Sequence, residues 1–262
     1  MVFTLGPKAI SAGYRLASFD QIGSTNSEAL GRANAGERGP AWFVTAEQTA
    51  GRGRRHRPWV APRGNLAASV LETLDVTPAT AATLSFAAGL ALESALRAAA
   101  GAASIAFSLK WPNDVLAGQA KLSGILLEAE ATPGSGLAVV VGMGTNVVAA
   151  PEGTPTPATS LKALGLDITA EGLFTRLSDS WAEYRGIWDR GSGFGEIRRR
   201  WLALAAGLGQ PVVVHTGNAT LAGIFDTIDD TGCMIVRTSA GERIPVSAGD
   251  VHFGVAASAG AR

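Results

Sequence analysis

The sequence predicts an α+β protein: a mixed, largely antiparallel β-sheet with helices packed on it, followed by a small C-terminal antiparallel barrel. Three observations carry this expectation. Strand-like segments in the first half of the chain are joined through short turns rich in glycine, asparagine and aspartate, as antiparallel neighbours are. Two long helical periods, Pro78–Ala100 and 169–190, stand apart from these strands and do not alternate with them one by one. After "GLGQ" at 207–210 the chain turns into short strands separated by "TGN", "DDTG" and "SAGE", the turn spacing of a small barrel.

Taken in order, "YRLASF" (14–19) reads as a strand after an irregular start, and "STNSEAL" (24–30) opens a helix. Ser24, Thr25 or Asn26 could each cap it, with Glu28 in its first turn. "AWFVTAEQ" (41–48) alternates well enough for a strand and runs into "GRGRRHRPW" (51–59), and "GNLAASVLET" (64–73) leaves as the next strand, so the loop joins two adjacent strands. Pro78 suits the first turn of the alanine- and leucine-rich helix that follows. "FSLKWPNDVLAGQAKLSGILLEAE" (107–130) reads as three strands around turns at "WPND" and "AGQA", and "GLAVVVGMGTNVV" (136–148) as a fourth. The proline- and threonine-rich "APEGTPTPATSL" (150–161) is a surface crossing, and 169–190 and 195–204 are helical, with tryptophans and leucines on one side. The change of character near Gly209 divides the chain into 1–208 and 209–262.

Composition limits the function classes. The chain has 262 residues, of which 47% are hydrophobic, enough for a sizeable core. Its 22 basic residues balance 22 acidic ones, so no global field draws it to nucleic acid or an anionic membrane, and any anion site is local. One cysteine, Cys233, permits no internal disulfide or cysteine cluster and fits a reducing cytoplasm. No uninterrupted apolar stretch reaches the roughly 18–20 residues of a membrane span. His56, His215 and His252 lack metal-ligand spacing.

The local anion site is the loop at 51–59, with four arginines, two glycines and Trp59 in nine residues. Glycines let backbone amides approach an oxyanion, and guanidinium forks make paired, charge-assisted hydrogen bonds to carboxylate or phosphate. A solvated surface loop is the plainer alternative, against which Trp59 argues as a stacking element. The loop lacks P-loop spacing, and "GMGTNV" lacks the third glycine of a dinucleotide fingerprint. Lys110 and Lys121 flank a turn bearing Asn113 and Asp114; an inward Lys121 needs an anionic partner, and an edge position needs none. Gly142 and Gly144 bend the strand that presents Asn146, either as a strand end or as a place where a ligand approaches closely.

In this order, "STN", "EQTAGRGRRHRPW", "KWPND", "KLSGILLE" and "GMGTNV", followed by an all-β tail, closely resemble the biotin protein ligases, the biotin–[acetyl-CoA-carboxylase] ligase family. The likeness runs from about Tyr14 to the end of the chain. It implies a catalytic domain like that of class II synthetases over 1–208 and an SH3-like barrel over 209–262. It also implies an enzyme that uses ATP and Mg²⁺ to make biotinyl-5′-AMP and passes the biotinyl group to a lysine of a biotin carboxyl carrier domain. By the same resemblance Ser24, Thr25, Asn26 and Gln48 hold the ureido end of biotin. Gly51, Arg52, Gly53, Arg54 and Gly124 lie along its chain and carboxylate, with Lys121 and Arg54 at the reacting atoms. Asn113 and Asn146 read the adenine amino group, Asp114 organises the polar network and the metal, and Arg55, Arg57 and Trp59 belong to a loop that orders over the adenylate.

The family pattern also sets expectations by difference. Only about 20 residues precede "STN", which leaves no room for the N-terminal winged helix of the repressor members. His56 and Pro58 stand where family loops often carry glycine and lysine. Lipoate–protein ligases share the reaction logic, but the "GRGRR" and "KWPND" pair favours biotin. A minor-groove DNA hook conflicts with zero net charge, and a noncatalytic module has no use for the lysine and asparagine set. The pattern admits a homodimer without requiring one.

Overall fold

The computed structural model describes residues 2–132, 136–154, 156–217 and 219–253, without the His56 side chain. Pro155, Asn218 of the "TGN" turn, and 254–262 of the expected barrel lie outside the described residues.

Seven strands form the main sheet: β1 (Arg15–Phe19), β2 (Ala41–Thr45), β3 (Leu66–Leu74), β4 (Phe107–Lys110), β5 (Asp114–Ala117), β6 (Ala120–Thr132) and β7 (Gly136–Thr145). Their spatial order is β1-β2-β3-β7-β6-β5-β4. Only β1 and β2 pair in parallel; every other neighbour is antiparallel. The helices are α1 (Pro7–Ser11), α2 (Thr25–Asn34), α3 (Pro78–Ala82), α4 (Leu84–Ala100), α5 (Ala170–Trp188) and α6 (Phe194–Ala203). Ser24 is the N-cap of α2, its Oγ accepting from Ser27 N.

All five residues of β2 are buried, so its two sets of side chains enter two cores and neither faces water. A strand sends alternate side chains to opposite faces, and here both faces are covered. Ala41 and Phe43 join Leu71, Ala138 and Val140 under Ala29 and Ala33 of α2. Trp42 and Val44 join Val70, Val139 and Val141 in the larger core, with residues of α4 and α5. Edge-to-face packing of Trp42 on Phe174 and Trp181 fixes α5 against this second face.

The expected helix at Pro78–Ala100 is broken at Thr83, whose Oγ1 donates to Thr80 O and accepts from Trp188 Nε1. By length and composition this stretch passes for a membrane span, although Glu93 and Arg97 interrupt its apolar run. Most of it is buried in the protein core, where an all-round apolar helix belongs.

A second, antiparallel sheet contains β8 (Pro211–Thr216), β9 (Ala219–Ile228), β10 (Met234–Arg237), β11 (Arg243–Val246) and β12 (Asp250–Phe253), in the order β11-β10-β9-β8-β12. It is seated on the first. Trp111 Nε1 donates to Gly232 O across the junction, and Leu109 of β4 bonds Leu204 and Ala206 through its backbone. This seat brings the start of β12 to the arginine loop.

Candidate functional site

The loop between β2 and β3 folds back on itself. Gly53 N donates to Arg57 O and Trp59 N to Gly51 O, with one 3-10 turn at Arg54–His56 in which Arg55 is left-handed at φ 54°. A Cβ on Gly51 would lie 2.5 Å from Trp59 O, so the return strand requires glycine there. Trp59 then lies across the sheet. A Cβ on Gly144 would meet its indole at 2.5 Å and one on Gly124 at 3.1 Å. The glycines of "KLSGILLE" and "GMGTNV" are therefore the floor on which the tryptophan rests.

The loop forms one wall of a cleft of about 780 Å³. Every site residue expected from the sequence except Gly51 is among its lining residues, and Gly51 is tied by hydrogen bond to the lining Trp59. Six arginines and lysines (Arg52, Arg54, Arg55, Arg57, Lys110, Lys121) face three carboxylates (Asp114, Glu152, Asp250). The excess of three positive charges gives this cleft a local positive field on a chain of zero net charge.

At one end the groups are neutral and already connected. Gln48 Oε1 accepts from Thr25 N at 2.8 Å and from Thr25 Oγ1 at 3.1 Å. Asn26 Nδ2 donates to Leu126 O and Glu128 Oε2, while Asn26 Oδ1 accepts from Ser69 Oγ at 2.6 Å. Gly142 makes room for that amide, since a Cβ there would fall 2.1 Å from Asn26 Oδ1. Ser69 and Glu128 were not singled out in the sequence. A polar residue inside the apolar run of β3 was the available signal for Ser69.

At the charged end Lys121 Nζ lies 2.6 Å from Asp114 Oδ1, and both side chains are mostly buried. Asp114 Oδ1 has no other polar partner among the described residues, so Lys121 is its one contact. Lys121 Nζ also sits 5.5 Å from the Trp59 ring centroid. The backbone of Lys121 is clamped by the crossing segment, with its N–H on Pro157 O and its C=O accepting from Thr159 N. The inward reading of Lys121 holds, with Asp114 as the partner it needed.

Arg54 is the loop arginine that turns inward, donating to Asn113 Oδ1 at 3.2 Å. Burial, then Arg55 beside it, lowers its pKa. Asn113 Nδ2 donates to Ile125 O, so each end of its amide already holds one partner. Asn146 differs. Its Nδ2 donates to Thr159 O, but its Oδ1 is buried with no partner among the described residues. An orphaned buried acceptor is costly unless a ligand donor meets it.

Four charged or titratable lining residues, Lys110, Glu152, Asp250 and His252, were given no role from the sequence. Lys110, at the end of β4, has its pKa lowered by burial and by Lys121, with Asp114 opposing. Asp250 and His252 come from β12, more than 100 residues away in sequence. His252 lies on β12 and lines the cleft, and its pKa is lowered by burial, then by Lys110 and His215. No signal in the sequence joins β12 to the loop, because only the seating of the second sheet brings them together. Among the described residues no cluster of three or more histidine, cysteine or carboxylate side chains could hold a metal ion on its own.

A cleft with a neutral hydrogen-bonding end, an aromatic lid and a cationic end suits an elongated ligand with a polar head and an anionic tail. Comparison with known proteins agrees. Residues 19–146 match the model of the biotin/lipoate A/B protein ligase family, and 207–254 match the biotin protein ligase C-terminal domain. The chain is 41% identical over 237 residues to a biotin–[acetyl-CoA-carboxylase] ligase of Paracoccus denitrificans, covering 88% of this chain and 97% of that protein. It is 36% identical to one of Mycobacterium tuberculosis, covering 95% and 93%. A biotin protein ligase from Aquifex aeolicus, solved in complex with biotin and ATP, shares the fold with a TM-score of 0.76 at 24% identity, covering 92% of this chain and 99% of that one. With both sheets and the cleft between them accounted for, the chain belongs to the biotin/lipoate A/B protein ligase family.

Proposed function

We propose that the protein condenses biotin with ATP to biotinyl-5′-AMP, releasing pyrophosphate, and then transfers the biotinyl group to one lysine of a biotin carboxyl carrier domain of acetyl-CoA carboxylase or a related enzyme. The observation that carries this reading is the convergence of Lys121 and Arg54 on the stretch of cleft between the Thr25–Gln48 end and the orphaned Asn146 Oδ1. Its catalytic unit spans 1–208 and its C-terminal unit 209–262.

In the first step a biotin carboxylate oxygen attacks the α-phosphorus and the bond to pyrophosphate breaks. Two anions must approach, and fixed cations in a partly dry cleft offset their repulsion without reorganising. Lys121 and Arg54 stand where the carboxylate and α-phosphate meet. Ser24, Thr25, Asn26 and Gln48 receive the ureido head, with Gly51, Arg52, Gly53 and Gly124 beside the acid chain. Asn146 Oδ1 and the Asn113 amide read the adenine amino group, and Asn113 also holds Arg54. Arg55, Arg57 and Trp59 close over the phosphates and exclude the water that would hydrolyse the mixed anhydride. Asp114 would offer a single carboxylate, already held by Lys121, which fits a Mg²⁺ carried mainly by the triphosphate and not by a protein cage. When bound, Mg²⁺ supplies neutralisation of the leaving pyrophosphate. In the second step the acceptor amine forms the amide bond at the biotinyl carbon and AMP departs. The reading places the enzyme in the cytoplasm, needs neither nucleic acid nor membrane, and is compatible with a homodimer.

The test is biotin-dependent exchange of labelled pyrophosphate into ATP with Mg²⁺ and no carrier protein. Exchange with biotin and not with lipoate is expected; folded protein that exchanges with neither would refute the reading. A second expectation concerns retention. Losing a charge-assisted hydrogen bond costs about 1.5–3 kcal/mol, so Arg54→Gly should release the adenylate roughly ten- to a hundred-fold faster. The readout is biotin on lysines of a bystander protein, and equal labelling by both enzymes would remove Arg54 from this role.

A further inference from the structure

The arginine loop is tied down on two sides by carboxylates from different sheets. Arg52 Nη2 reaches Glu128 of β6 at 3.3 Å. On the other side Arg55 Nη1 and Arg57 Nη2 both reach Asp250 Oδ2, at 2.9 and 2.6 Å. Asp250 opens β12, an edge strand whose neighbour in the sheet is β8, where Asp250 pairs with His215. The preceding Gly249 approaches β8 so closely that a Cβ would lie 2.5 Å from Val214, which fixes where the turn delivers the carboxylate.

Two physical arguments make this contact more than a surface ion pair. Arg55 is a non-glycine residue at φ 54°, a conformation that costs about 1–3 kcal/mol and persists where surrounding contacts hold it. One carboxylate oxygen that binds two guanidinium groups also forms a network, and networks outlast isolated pairs. Burial works to raise the Asp250 pKa, yet Arg57, Arg55 and Arg54 outweigh it and hold the carboxyl below its ordinary range.

We propose that Asp250 is a positioning residue that latches the arginine loop to the C-terminal sheet by occupying Arg55 and Arg57 until a nucleotide phosphate displaces it. Loop closure and the seating of the second sheet are then one event. The displacement half rests on the adenylating function proposed above; the latch itself does not. The class of ligand that exchanges with Asp250 is an oligophosphate, because two guanidinium groups that converge on one carboxylate oxygen can converge equally on a more highly charged phosphoryl group.

The test is amide hydrogen exchange on the intact protein without nucleotide, comparing wild type, Asp250→Asn and Asp250→Glu. Loss of an exposed ion-pair network of this size should speed exchange at Gly53 and Trp59, whose amides close the loop, by about three- to ten-fold. Exchange in β8 should not change, and the glutamate variant should stay near wild type. Arg57→Gln should reproduce the effect, and adding Asp250→Asn to an Arg55→Gln, Arg57→Gln background should add nothing. Because the carboxylate competes for the arginines, Asp250→Asn should also bind a nonhydrolysable ATP analogue a few-fold more tightly, a gain that mere loosening cannot produce. Unchanged loop exchange, acceleration that spreads equally through β8, or weaker analogue binding would each overturn the proposal. An active ligase with unchanged loop exchange defeats only the latch, whereas faster loop exchange in a protein that lacks pyrophosphate exchange defeats only the proposed reaction.

Discussion

Lys121→Ala is expected to slow formation of biotinyl-5′-AMP by about 10²–10³-fold, the usual consequence of deleting one preorganised charge donor from a reacting centre. The reason is twofold. Lys121 supplies positive charge where the carboxylate and phosphate approach, and it neutralises Asp114, 2.6 Å from its Nζ. In the alanine variant Asp114 becomes an unpaired carboxylate facing two anionic substrates. Single-turnover formation of the adenylate is the measurement, because it separates chemistry from release. The loss should appear in the rate at saturating substrate, with a smaller change in biotin affinity, since the thioether- and ureido-bearing body of biotin is held elsewhere. Asp114→Asn added to Lys121→Ala should recover part of the rate by removing the repulsion. A loss under ten-fold, or one found only in KM, would show that Lys121 binds substrate without stabilising the transition state.

Glu72→Ala is expected to destabilise the fold by about 3–5 kcal/mol, the cost of stranding one member of a buried ion pair. Glu72 on β3 accepts from Tyr14 Oη through Oε1 and from Arg185 Nε of α5 through Oε2, each at 2.7 Å. Trp181 Nε1 in turn donates to Tyr14 Oη at 2.9 Å. The side chains of Glu72 and Arg185 are only 10% and 19% exposed, so the guanidinium has little water to fall back on. Tyr14 has its pKa raised by burial and by the Glu72 carboxylate, and it remains a donor throughout the ordinary pH range. Urea unfolding should show a lower midpoint with an unchanged slope. The Glu72→Gln variant keeps the shape and one acceptor but removes the charge, and it should fall between. A loss below about 1 kcal/mol in the alanine variant would mean the network is solvated and carries little stability.

Both variants touch the main sheet, and they separate its two duties. Lys121 lies on the strands that carry the cleft, and Glu72 on the opposite face, where α5 is anchored. The first should lose chemistry and keep its fold; the second should lose stability while the cleft-facing groups stay in place.

Much of this was legible in the chain because the signals are local. The Ser24 cap, the strand–loop–strand around 51–59, the strands at "KWPND" and "KLSGILLE", and the helices near 84–100 and 170–188 each depend on periodicity and on turn residues a few positions apart. The residues that line the cleft were legible for a related reason: loops and strand ends carry them in short motifs. Where the reading fell short, the missing information was not local. The break at Thr83 answers to Trp188, about a hundred residues later, and the uniform burial of β2 answers to helices on both faces. Asn113 and Asn146 look alike in sequence, yet one has a partner at each end of its amide and the other an orphaned oxygen.

The sequence by itself determined the element order, the family likeness and the set of polar groups that meet in the cleft, since hydrophobic period, turn chemistry and motif spacing act within a few residues of chain. Only the tertiary structure decided which partners those groups have: Asp114 for Lys121, Asn113 for Arg54, Asp250 for Arg55 and Arg57. The physical reason is that electrostatic and packing energies depend on distances through space, and the seat of one sheet on another sets those distances with no trace in sequence separation.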